Sequence, residues 1–205
     1  MKPFAALLIA SLVSASAFAA DAPAAPKVDL AKGAQSYAAI CVACHGADGN
    51  SSVPLQPNLA QQHPSYIHKQ MMEFKSGVRK DAIMQGFAAA MSEEDSRNIA
   101  GWLATQKAKP GFAKEKDLVL LGERIYRGGI AERHIPACAG CHSPNGAGIP
   151  SQYPRLSGQH ADYTVKQMAA FRDGTRANNA VMHGVAARMN DREIKAVSDY
   201  VAGLR

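Results

Sequence analysis

CVACHGADGN at residues 41–50 and CAGCHSPNGAG at residues 138–148 hold every cysteine of the 205-residue chain. In each, two cysteines are separated by two residues and followed at once by a histidine: Cys41, Cys44, His45 and Cys138, Cys141, His142. This is the attachment signature of c-type haem. Two thiols three positions apart can add to the two vinyl groups of one porphyrin edge, and the next residue presents its imidazole to the iron. Four cysteines in an exported chain would ordinarily suggest two disulfides, but here the spacing argues against them. A thioredoxin-like redox pair does not need the histidine. A zinc site needs its four ligands in one cluster, whereas these pairs stand 97 positions apart. The expectation is two covalently bound haem c groups, each with one histidine as axial ligand.

The duplication extends far beyond the two pentads. A shift of 97 places Pro57 on Pro154, Leu59 on Leu156, Gln62-His63 on Gln159-His160, Tyr66 on Tyr163, Lys69-Gln70-Met71 on Lys166-Gln167-Met168, Phe74 on Phe171, Gly77 on Gly174 and Arg79 on Arg176. One inserted residue later, the register of 98 pairs Met84 with Met182, Gly86 with Gly184 and Met91 with Met189. Two homologous units of roughly 90 residues follow, a size that can support one core each, especially around a haem.

Each unit shows the same helical pieces and no strand signal. DLAKGAQSYAAIC puts Leu30, Ala34, Tyr37 and Cys41 on one helical stripe. DLVLLGERIYRGG does so less directly, because Tyr126 stands farther ahead of its pentad. A middle helix, PSYIHKQMMEFKSG or HADYTVKQMAAFRDG, is stopped by glycine in both units. The last helix opens at Ser92 or Asn190, good N-caps followed by acids. Ile99, Trp102 and Leu103, like Ile194, Val197, Tyr200 and Val201, form its apolar stripe. Between the units, KAKPGFAKEKD is basic and broken by Pro110-Gly111, as suits a linker.

Three repeated methionine pairs compete for the sixth iron position. Met71 and Met168 keep step with the aromatic residues of the middle helix and read as core. Met91 and Met189 precede the N-caps, where an apolar residue staples the helix start; Ile194 suits Met189 as a partner, while Ser96 is a poor equivalent. Met84 and Met182 each lie two residues before a glycine in segments that look irregular and free to bend towards the iron, and they are the expected axial ligands. His63 and His160 read as capping or packing groups. His68, His134 and His183 do not repeat and read as surface, although His183 adjoins Met182 and is its nearest competitor.

The first residues, MKPFAALLIASLVSASAFAADAP, have an early lysine, a short apolar run and a small-residue cleavage pattern, the layout of a secretory signal peptide over residues 1–20. The apolar run is shorter than the roughly 20 residues needed to span a bilayer. The full chain carries a formal charge of +6, and losing Lys2 leaves about +5. The basic stretches, Arg79-Lys80 and Lys107 to Lys116, lack any nucleic-acid motif, and suit a solvated face or a docking surface for an acidic protein or membrane.

Taken in order, the pentad, Pro-x-Leu, Tyr-x-x-Lys-Gln-Met, Gly-x-Arg and Met-x-Gly, all twice after a signal peptide, closely resemble the cytochrome c4 family of periplasmic dihaem carriers. The resemblance implies an all-α fold of two tandem class I cytochrome c domains, residues 21–106 and 118–205, joined by a linker at 107–117 and related by a pseudo-twofold axis. It implies haem propionates approaching one another at the domain interface, His45/Met84 and His142/Met182 ligation, and Pro57 and Pro154 as carbonyl acceptors for the ligand histidines. The segment Arg127–Ala137 is then an elaboration of the second domain. The implied function is electron carriage from a cytochrome bc complex to a haem-copper oxidase or other terminal reductase, by a monomer that is not an enzyme, with no nucleic-acid partner and room for peripheral membrane association. Two other function classes stand beside it. A dihaem peroxidase would need one displaceable axial ligand, and a haem subunit of a larger oxidoreductase would dock permanently on a catalytic partner.

Overall fold

A computed structural model describes residues 27–205, so the signal-peptide reading lies outside the described residues. Within them the chain is helical, and pairing between extended segments is limited to isolated bridges. The first unit comprises α1 (Leu30–Ile40), α2 (Val42–His45), α3 (Pro64–Ser76), α4 (Ala82–Ala89) and α5 (Glu93–Thr105). The second repeats the order with α6 (Lys116–Gly128), α7 (Ala139–His142), α8 (Ala161–Arg172), α9 (Ala180–Ala186) and α10 (Asp191–Gly203), adding a 3-10 turn at Ala131–Arg133. Helix α6 begins at Lys116, so its first two residues fall in the stretch expected to be linker. No described helix is long and apolar enough to cross a membrane.

In each unit the first and last helices cross where a glycine removes the obstacle. A Cβ on Gly33 would lie 2.1 Å from the carbonyl oxygen of Asn98 in α5, and one on Gly122 would lie 2.2 Å from that of Ala196 in α10. Glycine costs a helix interior about 1 kcal/mol relative to alanine. Here that cost gives the two backbones contact. Around the crossings, Tyr37, Ile67, Met91, Ile99 and Leu103 form one core, and Ile125, Tyr126, Met189, Ile194, Val197 and Val201 form the other. Tyr37 lies against Trp102 with ring centroids 4.6 Å apart, and Tyr126 against Tyr200 at 5.6 Å. Ser92 and Asn190 close full capping boxes with Asp95 and Glu193 at the starts of α5 and α10.

The units meet along a seam whose bonds come in reciprocal pairs. Gln62 exchanges two hydrogen bonds with the backbone of Arg155, and Gln159 exchanges two with the backbone of Asn58. His63 Nε2 reaches the Ala147 carbonyl at 2.9 Å, while His160 Nε2 reaches the Ser51 carbonyl at 3.0 Å. Arg79 and Arg176 pair through an antiparallel bridge at the same seam. This exchange of equivalent partners is the signature of a pseudo-twofold axis. It also revises the sequence reading of the two histidines. They occupy N-cap positions of α3 and α8, yet their side chains make no cap bond and cross to the other unit instead.

Candidate haem sites

Helix α1 ends at Ile40, one residue before the first pentad, and the single turn α2 then carries Val42 to His45. Its C-cap, Gly46, has φ 76° and ψ 163°, a conformation that favours glycine, and Ser143 holds the equivalent place of the second unit at φ 70° and ψ 153°. Tyr37, one turn before Cys41 on α1, donates its hydroxyl to the Gly46 carbonyl at 2.7 Å. In the second unit Tyr126 donates to the Ser143 carbonyl at the same distance. The two tyrosines are therefore structural equivalents, although Tyr126 lies farther from its pentad in sequence. The insertion is absorbed by the 3-10 turn and by the Ile130–Ile135 bridge.

Both pentad histidines are turned inward, with His45 6% and His142 7% exposed. The Nδ1 of His45 lies 3.0 Å from the Pro57 carbonyl, and that of His142 lies 3.0 Å from the Pro154 carbonyl. A carbonyl oxygen only accepts, so Nδ1 carries the ring proton and Nε2 keeps its lone pair. Burial pushes both imidazoles below their ordinary pKa and outweighs the opposing pull of the proline carbonyls. At neutral pH each ring is thus an oriented, uncharged donor, the form in which histidine binds iron.

The cysteines are unpaired and half-buried. Burial, reinforced by Cys44, pushes the Cys41 thiol up to about 11, and burial does the same to Cys138. A reactive redox or thiolate-ligand cysteine has its pKa lowered. These two are held as neutral thiols. Among the described residues, no cluster of three or more His, Cys, Asp or Glu side chains is arranged to hold a metal ion, which fits covalent haem better than zinc. Two thiols and one oriented imidazole per unit are the donor set that a haem c needs from a pentad.

The methionines separate by environment. Met91 and Met189 are 4% and 3% exposed and belong to the two cores, and Met71 and Met168 pack against those cores from outside. Met84 and Met182 are half-buried. Their segments are not irregular as the sequence suggested; they form helices α4 and α9, with Gly86 and Gly184 inside them. The reason is a capping bond aimed at the methionine itself. Asp81 Oδ1 accepts from Met84 N at 3.1 Å, and Asn179 Oδ1 accepts from Met182 N at 2.9 Å. Next to Met182, the Nδ1 of His183 is 2.6 Å from the Phe171 carbonyl, which ties that ring to α8. His68, expected at the surface, meets the buried Ser96 hydroxyl at 3.0 Å, which gives the poor staple position a partner.

The seam residues Gln62, Gln159, Arg79 and Arg176 were not identified from sequence as functional. Their signal was present in the repeat. Each of the four is a polar side chain that recurs in register, and each bonds to the other unit.

The cytochrome c family model matches the chain twice, at residues 30–107 and 121–205. Cytochrome c4 of Pseudomonas aeruginosa is 45% identical over 174 residues, spanning 83% of this chain and 86% of the relative. The thiosulfate dehydrogenase electron acceptor of Stutzerimonas stutzeri is 38% identical over 201 residues, spanning 95% of this chain and 91% of that protein. The crystal structure of reduced recombinant cytochrome c4 from Pseudomonas stutzeri aligns with a TM-score of 0.83 at 40% identity, covering 87% of this chain and 100% of that one. Two cytochrome c domains, each with its own Cys-x-x-Cys-His, make a dihaem electron-transfer cytochrome. By a match along most of its length and by a shared two-domain fold, the chain belongs to the cytochrome c4 family.

Proposed function

We propose that the protein is a periplasmic electron relay that accepts electrons from a quinol-oxidising cytochrome bc complex and delivers them to a haem-copper oxidase or other terminal reductase. In this reading residues 21–106 and 118–205 are the two haem domains, joined by residues 107–117. Cys41 and Cys44 hold one haem c and Cys138 and Cys141 the other, with His45/Met84 and His142/Met182 as axial pairs. A haem c with histidine and methionine ligands supplies one-electron exchange at a potential raised by the thioether sulfur. The observation that carries the reading is the twin arrangement of buried imidazoles, each fixed by a proline carbonyl so that Nε2 is left for iron. Met84 and Met182, as the second ligands, would leave the iron no open position for oxygen or peroxide, which favours a carrier over a peroxidase.

The partner reading has support in charge. The linker stretch carries Lys107, Lys109, Lys114 and Lys116, of which Lys109 pairs with Asp48, and its basic charge suits an acidic redox protein or a loose contact with an anionic membrane. The likeness to a thiosulfate dehydrogenase electron acceptor favours a second donor, a sulfur-compound dehydrogenase that engages the chain as its acceptor or as a haem subunit.

Optical spectra and a potentiometric titration of wild type, Met84→Ala and Met182→Ala test the ligand set. Each substitution should abolish the sulfur-to-iron band of one haem and leave the other intact. A variant whose two haems both keep methionine ligation shows the assignment in that domain to be wrong.

A further inference from the structure

The loop after each pentad is where the surroundings of the two ligand histidines part. In the second unit residues 149–153 turn back as a short hairpin: Ile149 N donates to the Tyr153 carbonyl at 3.0 Å and Tyr153 N to the Ile149 carbonyl at 2.8 Å. Ser151 turns the chain with φ 64°, in the left-handed region. The hairpin is anchored on the pentad itself. Gly148 N donates to the His142 carbonyl at 2.9 Å, and the Ser143 hydroxyl donates to the Gly148 carbonyl at 2.9 Å. A Cβ on Gly148 would lie 2.5 Å from the Tyr153 carbonyl oxygen, so the fold of this loop depends on close backbone approach.

The hairpin delivers one side chain to the haem site. The half-buried Tyr153 ring meets the His142 imidazole with centroids 5.8 Å apart and planes at 66°, an edge-to-face contact. Its hydroxyl hydrogen-bonds to Cys141, and that bond, with the charge of Cys141, holds the phenol above its ordinary pKa. A sulfur tied into a thioether still accepts a hydrogen bond, although a weak one. One tyrosine therefore contacts both an attachment cysteine and the ligand histidine of the second unit.

The first unit is built differently at this place. The register of 97 puts Gln56 where Tyr153 stands. Ser51 ties its loop down instead, its hydroxyl donating to the Cys44 carbonyl at 2.8 Å and its N–H to Asn58 Oδ1 at 2.9 Å. Among the described residues no aromatic ring pairs with His45.

We propose that Tyr153 is a positioning residue that raises the reduction potential of the second haem by covering the His142 ring and keeping water from it, an effect with no counterpart in the first unit. The oxidised iron carries one more positive charge than the reduced iron, and a drier surround disfavours the more charged state. The apolar shell around a metal's ligands sets that local dielectric and with it the potential. The hydroxyl contact to Cys141 pins the ring, and the ring itself supplies the cover. The inference rests on the two-haem reading above, with His142 as a ligand.

The test is a potentiometric titration of the holoprotein, with the two haems resolved by their paramagnetic NMR shifts, on wild type, Tyr153→Gln, Tyr153→Ser and Tyr153→Phe. Tyr153→Gln, which installs the residue of the first unit, should lower the second haem's midpoint and leave the first unmoved. The expected size is about a threefold change in the oxidised-to-reduced ratio, or about 28 mV at 59 mV per decade for a one-electron couple. Tyr153→Ser should lower it at least as far, and stands in for Tyr153→Gln should that variant fail to fold. Tyr153→Phe keeps the ring and should retain most of the wild-type midpoint. Unchanged midpoints in Tyr153→Gln or Tyr153→Ser overturn the proposal, as does an equal shift of both haems. A Tyr153→Phe variant that falls as far as Tyr153→Gln also overturns it, by giving the effect to the hydroxyl and not to the cover. A haem-to-protein ratio other than two in the wild type would instead reject the two-haem reading.

Discussion

The side-chain amide of Gln62 closes a ring of two hydrogen bonds with the backbone of Arg155, its Nε2 donating to the carbonyl and its Oε1 accepting from the N–H, both at 2.9 Å. Gln159 repeats the ring on Asn58, at 2.9 Å for both bonds. An amide side chain that imitates a neighbouring strand satisfies backbone groups that the seam would otherwise bury without partners. Gln62→Ala and Gln159→Ala should therefore each cost about 1–3 kcal/mol, the penalty for leaving buried polar groups unsatisfied. The loss falls on the contact between domains, so calorimetry of either variant should separate one unfolding transition into two. A single unchanged transition in both variants would show that the rings do not couple the domains.

Gly33 and Gly122 carry a different kind of constraint. At Gly33 the nearest atom to an added Cβ is a helix backbone carbonyl, at 2.1 Å, which cannot rotate away as a flexible side chain could. Gly33→Ala should gain intrinsic helix propensity and still destabilise its domain by at least about 2 kcal/mol, because overpacking moves whole helices. Gly86→Ala is the contrasting variant, since a Cβ there meets nothing within 4 Å. Thermal unfolding of the two should shift in opposite directions; a Gly33→Ala variant as stable as wild type would mean that α1 and α5 are free to move apart.

Much of this was legible in the residues because haem attachment fixes covalent spacing, and a tandem repeat shows every constraint twice. The pentads, the N-caps Ser92 and Asn190, and the core stripes of α5 and α10 all follow from local chemistry. What was not legible depends on contacts distant in sequence. The helical state of Met84 and Met182 was hidden because their glycines suggested a break, whereas the Asp81 and Asn179 caps supply enough local bonding to hold short helices that pack on α3 and α8. The role of Gln62, His63 and their counterparts was hidden because polar residues at a helix start look like capping groups until the second domain is in place. The equivalence of Tyr37 and Tyr126 was obscured by the insertion, which changes sequence distance without changing where the hydroxyl lands.

That insertion brings its own electrostatic tie. Arg133, in the 3-10 turn, pairs with Glu193 at the third position of α10 and also donates to the Arg188 carbonyl at 3.1 Å, joining the segment before Cys138 to the segment after α9. Partial burial would raise the Glu193 pKa, but the hydrogen bond and charge of Arg133 and the Asn190 backbone bring it below its ordinary 4.5. A carboxylate whose pKa is lower in the folded than in the unfolded chain contributes stability that is full above 4.5 and lost as pH falls through the folded value. The first domain has no arginine turn at this place, and its equivalent capping acid is Asp95. Glu193→Gln should therefore lower the unfolding temperature at neutral pH and flatten its decline below pH 4.5, so that wild type and variant converge in strong acid. Melting curves of both proteins across the acid range check this. Parallel curves, with a gap that stays constant as the carboxylate is protonated, would show that the Arg133 contact stabilises by packing and not by charge.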